Sequence, residues 1–163
     1  MNTIQNTIRS QNCDLVKSIP LSTPYSINID PASICNFKCK FCPSGYKDLI
    51  NHSARKQGLM EFSLFKKIID DMKQFDTKIK RVNLWKDGEP FLNQQLADMV
   101  KYIKDSNVSD EVWISTNGYL LEQDIVKRII LSGVDLIRVS IEAVSTERYL
   151  ELAGVNIKVV AHP

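Results

Sequence analysis

The sequence predicts an α/β fold in which a parallel βα repeat of about four to five units forms a partial TIM-like barrel. Short stretches that alternate polar and apolar residues recur along the chain, and amphipathic helical stretches follow them. The least ordinary polar residues and three of the four cysteines come directly after these predicted strands. Because the active sites of parallel α/β folds form at the carboxyl ends of the strands, we expect these residues to meet at one site.

The first predicted βα unit encloses the cysteines. Residues 25–30 alternate in polarity as a strand does, and a long polar loop carrying the cysteines follows them. Residues 62–75 form the first predicted helix, because their apolar side chains recur at helical spacing with Lys and Asp on the opposite side. These apolar side chains are Leu64, Phe65, Ile68, Ile69, Met72 and Phe75.

The second predicted unit begins with a short strand at residues 81–85. Asn93 is a suitable residue to cap the helix that follows, since its side chain accepts a hydrogen bond from a free backbone N–H. The apolar side of this helix carries Leu96, Met99, Val100 and Ile103. The second unit therefore repeats the order of the first.

The third predicted unit has a strand at residues 111–116 and a helix at residues 122–131, with Gly133 just beyond the end of the helix. Residues 135–141 form a fourth strand, and residues 155–160 have the pattern of a terminal one. We expect residues 1–23, which are polar and whose end is marked by Pro20 and Pro24, to be a loosely held lead-in. Residues 24–163 then form one core domain that is incomplete at its C-terminus.

Composition excludes several classes of protein. The formal net charge is +2, from 21 basic and 19 acidic residues that are mixed along the chain, so we expect neither a nucleic acid nor a membrane partner. No signal-peptide pattern and no apolar run of membrane-spanning length occurs in the sequence. These features predict a cytoplasmic protein. In a reducing compartment, clustered cysteines are typical of metal ligands, whereas the isolated Cys13 is an incidental thiol.

Cys35, Cys39 and Cys42 place three soft thiolate ligands in one loop, which suits zinc or an iron–sulfur cluster. A structural zinc site is normally closed by four protein ligands, and neither His52 nor His162 lies at a finger-like spacing. A cubane cluster has four irons, so three cysteines leave one iron open to a small molecule. Three buried apolar cysteines are the ordinary alternative, and the polar loop argues against it.

The spacing Cys-x3-Cys-x2-Cys, with Phe41 before the last cysteine, resembles the signature of radical S-adenosylmethionine (radical SAM) enzymes, in particular a SPASM/MoaA-like core. The segments 88–90, 115–119 and 139–142 resemble further motifs of that family in the expected order. The resemblance implies that the cysteines hold a [4Fe–4S] cluster whose open iron is chelated by S-adenosylmethionine. An electron from a flavodoxin- or ferredoxin-type reductant then yields a 5′-deoxyadenosyl radical, which abstracts hydrogen from an unidentified substrate, such as a peptide or a small metabolite.

The resemblance also implies a set of cofactor-binding residues: Phe41, Gly88, Glu89, Pro90, Ser115, Asn117 and Ser140. Phe41 would lie near the adenine, the tripeptide from Gly88 would accept hydrogen bonds from the methionine ammonium, and the remaining polar residues would face the ribose or the methionine. Asp87 departs from the more common Gly-Gly-Glu-Pro motif. Arg148 is the nearest candidate for the arginine that pairs with the methionine carboxylate in some relatives, but a solvated helix charge explains it better.

The family core has six βα units, so about a third of the barrel is missing from the predicted fold. An unpaired strand edge and an inner sheet face without apolar cover favour self-association. Two other functions stay open: a non-catalytic iron–sulfur or zinc fragment that acts in assembly, and a nucleotide-binding α/β domain with incidental cysteines. The last is the weakest, since no Gly-x-Gly-x-x-Gly pattern follows the first strand.

Overall fold

Four parallel strands form the centre of the computed structural model, which describes residues 20–46 and 56–156. The strands are β1 (Ser26–Asn28), β2 (Ile79–Asn83), β3 (Ser109–Thr116) and β4 (Leu136–Val139), and they lie side by side in chain order. Their register pairs Ile27 with Val82, Val82 with Val112, and Ile114 with Ile137. The sheet is not closed within the described residues, which confirms the predicted partial barrel.

Four helices follow the strands: α1 (Phe62–Met72), α2 (Leu96–Ser106), α3 (Gln123–Leu131) and α4 (Thr146–Ala153). The first three confirm the sequence predictions to within a few residues at their ends. Helix α4 was not among the predicted elements. Only the two ends of this helix carry sequence signals. At its start the Ser145 side chain accepts a hydrogen bond from Arg148 N at 3.3 Å, and at its end Gly154 adopts a left-handed conformation.

The prediction that Asn93 caps α2 is wrong. A 3₁₀ turn at Pro90–Leu92 comes first, and the residue that precedes α2 is Gln95. Asn93 instead links three segments, because its amide donates to Pro31 O at 2.9 Å and to Met60 O at 3.1 Å, while its Oδ1 accepts from Gln95 N at 3.0 Å. The residue is 4% exposed, so these bonds satisfy a polar side chain inside the fold.

The core lies between helices α1 to α3 and one face of the sheet. Alternate strand residues on this face and the inward residues of the helices are fully buried: Phe65, Ile69, Val82, Leu84, Met99, Ile103, Val112, Ile114 and Ile129. Burying side chains of this size stabilises the fold by roughly 1.5–3 kcal/mol each. Most of the apolar residues whose helical spacing predicted these helices therefore pack into the core.

The opposite face of the sheet carries polar and aromatic side chains, and we refer to it as the polar face. Because strand side chains alternate between faces, the register places the following residues there: Asn28, Arg81, Asn83, Glu111, Trp113, Ser115 and Arg138. This is the face on which the sequence analysis expected no apolar cover, and its side chains are mostly polar. Large exposed apolar side chains instead follow β4, where Ile141 is 72% and Val144 88% exposed.

Several sequence predictions fall outside the described residues. These are the structure of residues 1–19, the surroundings of Cys13, His52 and His162, and most of the predicted terminal strand at residues 155–160. Of the helices in the described ranges, none is long and apolar enough to span a bilayer.

Candidate functional site

The cysteine loop follows β1 at the carboxyl edge of the sheet. Cys35, Cys39 and Cys42 are free thiols, and each is partly exposed. The loop folds back on itself locally, since Phe37 N lies 3.4 Å from Cys35 Sγ and Cys42 N donates to Cys39 O at 3.0 Å. All three cysteines line one cleft, as the sequence predicted from their position after a strand.

Helix α4 holds the cysteine loop from the side. The backbone N–H groups of Lys38 and Lys40 donate to Ala153 O at 3.1 Å and Leu152 O at 2.9 Å, the carbonyls at the end of the helix. Tyr149 packs edge-on against Phe37, with 6.2 Å between ring centroids. The loop therefore owes part of its shape to an element that the sequence analysis did not find.

The segment after β2 packs directly on the start of the cysteine loop. Glu89 N donates to Ile34 O at 2.9 Å, and Ser44 Oγ donates to Asp87 O. At Gly88 a Cβ atom would lie only 1.7 Å from Ala32 O, so a side chain has no room there. This glycine is required by the close approach of two backbones, whatever else the tripeptide does.

Glu89 is the buried centre of this edge, with 2% of its surface exposed. Its Oε1 accepts from Thr116 Oγ1 at 2.7 Å and Phe91 N at 3.1 Å, and its Oε2 accepts from Asn117 N at 2.8 Å. Burial raises the pKa of the Glu89 carboxyl above its usual value, while the three hydrogen bonds oppose that rise. The carboxylate joins the ends of β2 and β3.

Asn117 continues from β3 towards the cysteines. Its Nδ2 donates to Asn36 Oδ1 at 2.8 Å and lies 3.8 Å from Cys35 Sγ. Ser140 follows β4, and its N–H donates to Thr116 O at 2.8 Å, which extends the sheet by one more bond. Polar groups from three different strand ends therefore stand around the cysteine loop.

The cleft gathers nine of the ten residues that the sequence singled out. Cys35, Cys39, Cys42, Phe41, Gly88, Glu89, Ser115, Asn117 and Ser140 line it. Pro90 is buried behind it, and Phe41, at 58% exposed, stands at its mouth. Arg148 is exposed on α4 and paired with Glu151 at 2.5 Å, so it does not reach the cleft.

Several lining residues were missed by the sequence analysis. These are Phe37, Trp85, Lys86, Thr116 and Glu142. Glu142 lies in the segment 139–142 that suggested the family, and its position just past a strand was a usable signal. Thr116 ends a predicted strand, but its role depends on Glu89, which no local pattern connects to it.

Electrostatics show that the three thiols lie close together. Burial raises the pKa of Cys39 to about 11, and the nearby charges of Glu142, Cys35 and Cys42 add to that rise. Burial also raises the pKa of Cys35, with smaller contributions from Glu89 and Cys42 that act in the same direction. Without a bound metal the thiols of Cys35 and Cys39 stay protonated at neutral pH, and a positive metal centre would favour their ionisation.

The chemistry of the donor set fits an iron–sulfur cluster. Within the ranges 20–46 and 56–156, no group of three or more His, Cys, Asp or Glu side chains is arranged to hold one metal ion. Thiolates are the ligands that hold such clusters, and in a cubane each cysteine binds a different iron. Three thiols that line one cleft supply donors of this kind.

Comparison with known proteins gives a consistent result. A family model described as the radical SAM superfamily matches residues 29–159. The tungsten-containing aldehyde ferredoxin oxidoreductase cofactor-modifying protein of Pyrococcus furiosus is 31% identical over 126 residues, which are 77% of this chain and 33% of that protein. A GTP 3′,8-cyclase of Mannheimia succiniciproducens is 28% identical over 133 residues, or 81% and 37% of the two chains. The chain thus spans about a third of the length of these relatives.

Solved structures share the fold. BtrN in complex with AdoMet and 2-DOIA has a TM-score of 0.60 and 24% identity, covering 71% of this chain and 45% of that one. Streptococcus suis SuiB bound to the precursor peptide SuiA has a TM-score of 0.65 and 21% identity, covering 88% and 30%. Native anSMEcpe with bound AdoMet has a TM-score of 0.61 and 20% identity, covering 80% and 36%.

Proposed function

The chain belongs to the radical SAM superfamily, whose members use a [4Fe–4S] cluster and S-adenosylmethionine, and we propose that it is the cluster- and cofactor-binding core of such an enzyme. Cys35, Cys39 and Cys42 hold the cluster in this proposal. The observation that carries it is the cleft itself, in which three mutually close thiols face residues from the ends of β2, β3 and β4. When bound, the cluster and S-adenosylmethionine supply the radical chemistry of the family.

The chain's own residues would position the cofactor around the open iron. Ser115, Asn117 and Ser140 offer hydroxyl and amide groups at the cleft wall, and Phe41 offers a ring at its mouth. A methionine ammonium has three donors and needs acceptors such as carbonyls and carboxylates. These are present in the segment after β2, where Gly88 and Glu89 line the cleft.

Glu89 has little capacity left for that ammonium. A carboxylate offers about four lone-pair positions, and Phe91, Thr116 and Asn117 already occupy three of those of Glu89. In our proposal its main task is to hold the strand ends in place, with one acceptor position facing the cofactor. The neighbouring backbone carbonyls then take the remaining donors.

The reaction needs an electron donor and a substrate. We propose a flavodoxin- or ferredoxin-type reductant in the cytoplasm, and residues 24–163 as the domain that meets it. The relatives are named for GTP cyclisation, for cofactor modification and for a precursor peptide, so their names agree on no single substrate. Nothing in the comparisons favours the non-catalytic alternative.

Strand β4 is one of the two edge strands of the sheet within the described residues, and the apolar Ile141 and Val144 follow it. This edge supports the expectation that the chain pairs with a further strand, either of a second copy or of a longer form of the chain. Analytical ultracentrifugation tests the first case. A monomer at all concentrations contradicts self-association.

The decisive experiment is anaerobic iron–sulfur reconstitution followed by dithionite and S-adenosylmethionine. We expect about four irons per chain and release of 5′-deoxyadenosine. Cys39→Ala should lose both, whereas Cys13→Ala, which removes a cysteine outside the loop, should keep both. Uptake of one zinc per chain with no 5′-deoxyadenosine in the parent protein would overturn the proposal.

A further inference from the structure

Arg138 on the polar face of the sheet stands between the two tryptophans of the chain. Its guanidinium carbon lies 5.6 Å from the ring centroid of Trp85 and 5.8 Å from that of Trp113. Within the described residues, no carboxylate forms an ion pair with it, and its side chain is exposed. The charge is therefore held by aromatic surfaces alone.

The other arginine of this face is already paired. Arg81 lies 3.4 Å from the Trp113 ring centroid, and its Nε is 3.4 Å from Glu111 Oε2. A guanidinium presents five N–H donors in a fixed fork, and those of Arg138 are not used by any carboxylate of the described chain. On the polar face, the guanidinium of Arg81 is therefore paired with a carboxylate, whereas that of Arg138 can still bind an anion.

Arg138 lies next to the cysteine cleft, beside three of the residues that line it. It is the register partner of Ser115, which lines the cleft, and Ser140, two residues further along, lines it as well. Trp85, which contacts Arg138, is a third lining residue. A molecule bound on Arg138 would therefore lie beside the cleft in which we propose that the cofactor binds.

A second polar residue on this face, Asn83, has a buried oxygen that accepts no hydrogen bond within the described residues. Asn83 is 8% exposed, and its Nδ2 donates to Asn28 Oδ1 at 2.6 Å. Its Oδ1 is buried and has no hydrogen-bond partner in the described part of the structure. Asn83 is the register partner of Trp113, so this acceptor lies beside the indole that flanks Arg138. Buried acceptors of this kind normally have a donor.

We propose that Arg138, flanked by Trp85 and Trp113, binds an anionic group of the substrate, a carboxylate or a phosphate. Planar, bidentate recognition of such groups is what an arginine fork does best, and the indoles offer flat surfaces to the part of the substrate beside the anion. Asn83 would accept from a hydroxyl or amine of the same molecule. This inference rests on the proposed function, because it places the substrate next to the cofactor cleft.

The cofactor's own carboxylate is the competing occupant. The residues expected to contact S-adenosylmethionine include Ser140, which lies one residue pair beyond Arg138 towards the carboxyl edge of the sheet. Arg138 instead shares the polar face with Trp113 and Asn83, which lie deeper in the sheet and outside the cleft lining. This arrangement favours the substrate, and the test below separates the two.

Tryptophan fluorescence reports on this site alone, since the chain has only 2 tryptophans and both contact Arg138. The reconstituted full chain is titrated anaerobically with inorganic phosphate and, separately, with acetate, against sodium chloride at equal ionic strength. We expect a saturable change with at least one of the two oxyanions, which also tells phosphate from carboxylate. Arg138→Gln should weaken the apparent affinity at least about tenfold.

One control variant and one second test variant complete the experiment. Arg148→Gln removes an exposed arginine that is already paired with Glu151, and its titration should match the parent. Arg138→Lys keeps the charge without the fork, so it should give an intermediate affinity, and it serves if Arg138→Gln does not fold. Equal responses in the parent and Arg138→Gln, or no response to either anion in the parent, overturn the inference.

S-adenosylmethionine binding and cleavage are measured on the same samples. An Arg138→Gln protein whose affinity for S-adenosylmethionine falls as much as its affinity for the anion would make Arg138 a cofactor residue, and would overturn the substrate assignment. Iron content and 5′-deoxyadenosine release test the proposed function separately. If the parent protein responds to an anion but does not cleave S-adenosylmethionine, the result contradicts the proposed function and supports the anion site.

Discussion

Glu89 and Asn117 are joined by a 2.8 Å hydrogen bond from the backbone N–H of Asn117 to Oε2 of Glu89. The bond links the segment after β2 to the segment after β3, and both residues line the cysteine cleft. Asn117 in turn donates through its side chain to Asn36, in the cysteine loop. A buried carboxylate therefore fixes two strand ends relative to the loop that we propose holds the cluster.

Replacing Glu89 with Gln should destabilise the fold by about 1–3 kcal/mol, because the amide NH2 would face the N–H of Asn117 and leave a buried donor unsatisfied. Urea unfolding followed by circular dichroism measures this loss. Glu142→Gln is the matched control, since Glu142 lines the same cleft and, within the part of the chain that the structure describes, its side chain has no hydrogen bond of this kind. A Glu89→Gln protein as stable as the control would contradict the role of this carboxylate.

Burial of Glu89 also predicts a pH dependence of stability. Its folded pKa lies above the ordinary 4.5, so above that pH the unfolded chain has released a proton that the folded chain still holds. The Glu89 contribution to stability should therefore be fully present below pH 4.5 and should fall as pH rises towards the folded pKa. Urea midpoints of the parent and Glu89→Gln, compared across this window, isolate the contribution. A parent-minus-variant difference that grows with pH would have the wrong sign.

Replacing Gly88 with Ala should cost more than about 4 kcal/mol, the range of exceptional substitutions. The new methyl group would lie 1.7 Å from Ala32 O, and all three of its nearest neighbours are backbone atoms that no side-chain rotation can move away. Thermal unfolding measures the effect. Lys86→Ala, two residues earlier and exposed, should change stability by no more than about 0.5 kcal/mol. Similar unfolding temperatures for the two variants would refute the close approach.

Helix α4 should affect cluster retention through Gly154. Gly154→Ala and Gly133→Ala both place a side chain on a left-handed backbone, at φ of 68° and 89°, and each should lose about 1–2 kcal/mol. Only at Gly154 does the new atom press on the cysteine loop, 3.3 Å from Lys38 O, whereas at Gly133 it meets the flexible Lys104 side chain at 3.5 Å.

We therefore expect the two glycine variants to lose iron at different rates and to have similar stabilities. After reconstitution, iron loss to a chelator should be faster in Gly154→Ala than in Gly133→Ala or the parent. Equal rates in the two variants would mean that α4 does not support the loop.

Much of the fold was predictable because its signals are local. Strands β2 to β4 and helices α1 to α3 lie where residue periodicity placed them, since alternation and helical spacing reflect which side of each element faces the core. Helix α4 escaped because it is short and buries only Tyr149 and Ala153, too few residues for a clear pattern. Asn93 was misassigned because its partners, Pro31 and Met60, come from distant parts of the chain.

The sequence by itself determined which functional groups the site contains, namely three thiols at a fixed spacing after a strand and polar residues after the next three strands. Covalent spacing and local periodicity are enough for that. The tertiary structure decided how those groups are used, including the three hydrogen bonds that the Glu89 carboxylate accepts, the support of the cysteine loop by α4, and the position of Arg138 between two indoles. These depend on contacts between segments far apart along the chain, which only the packing of the sheet brings together.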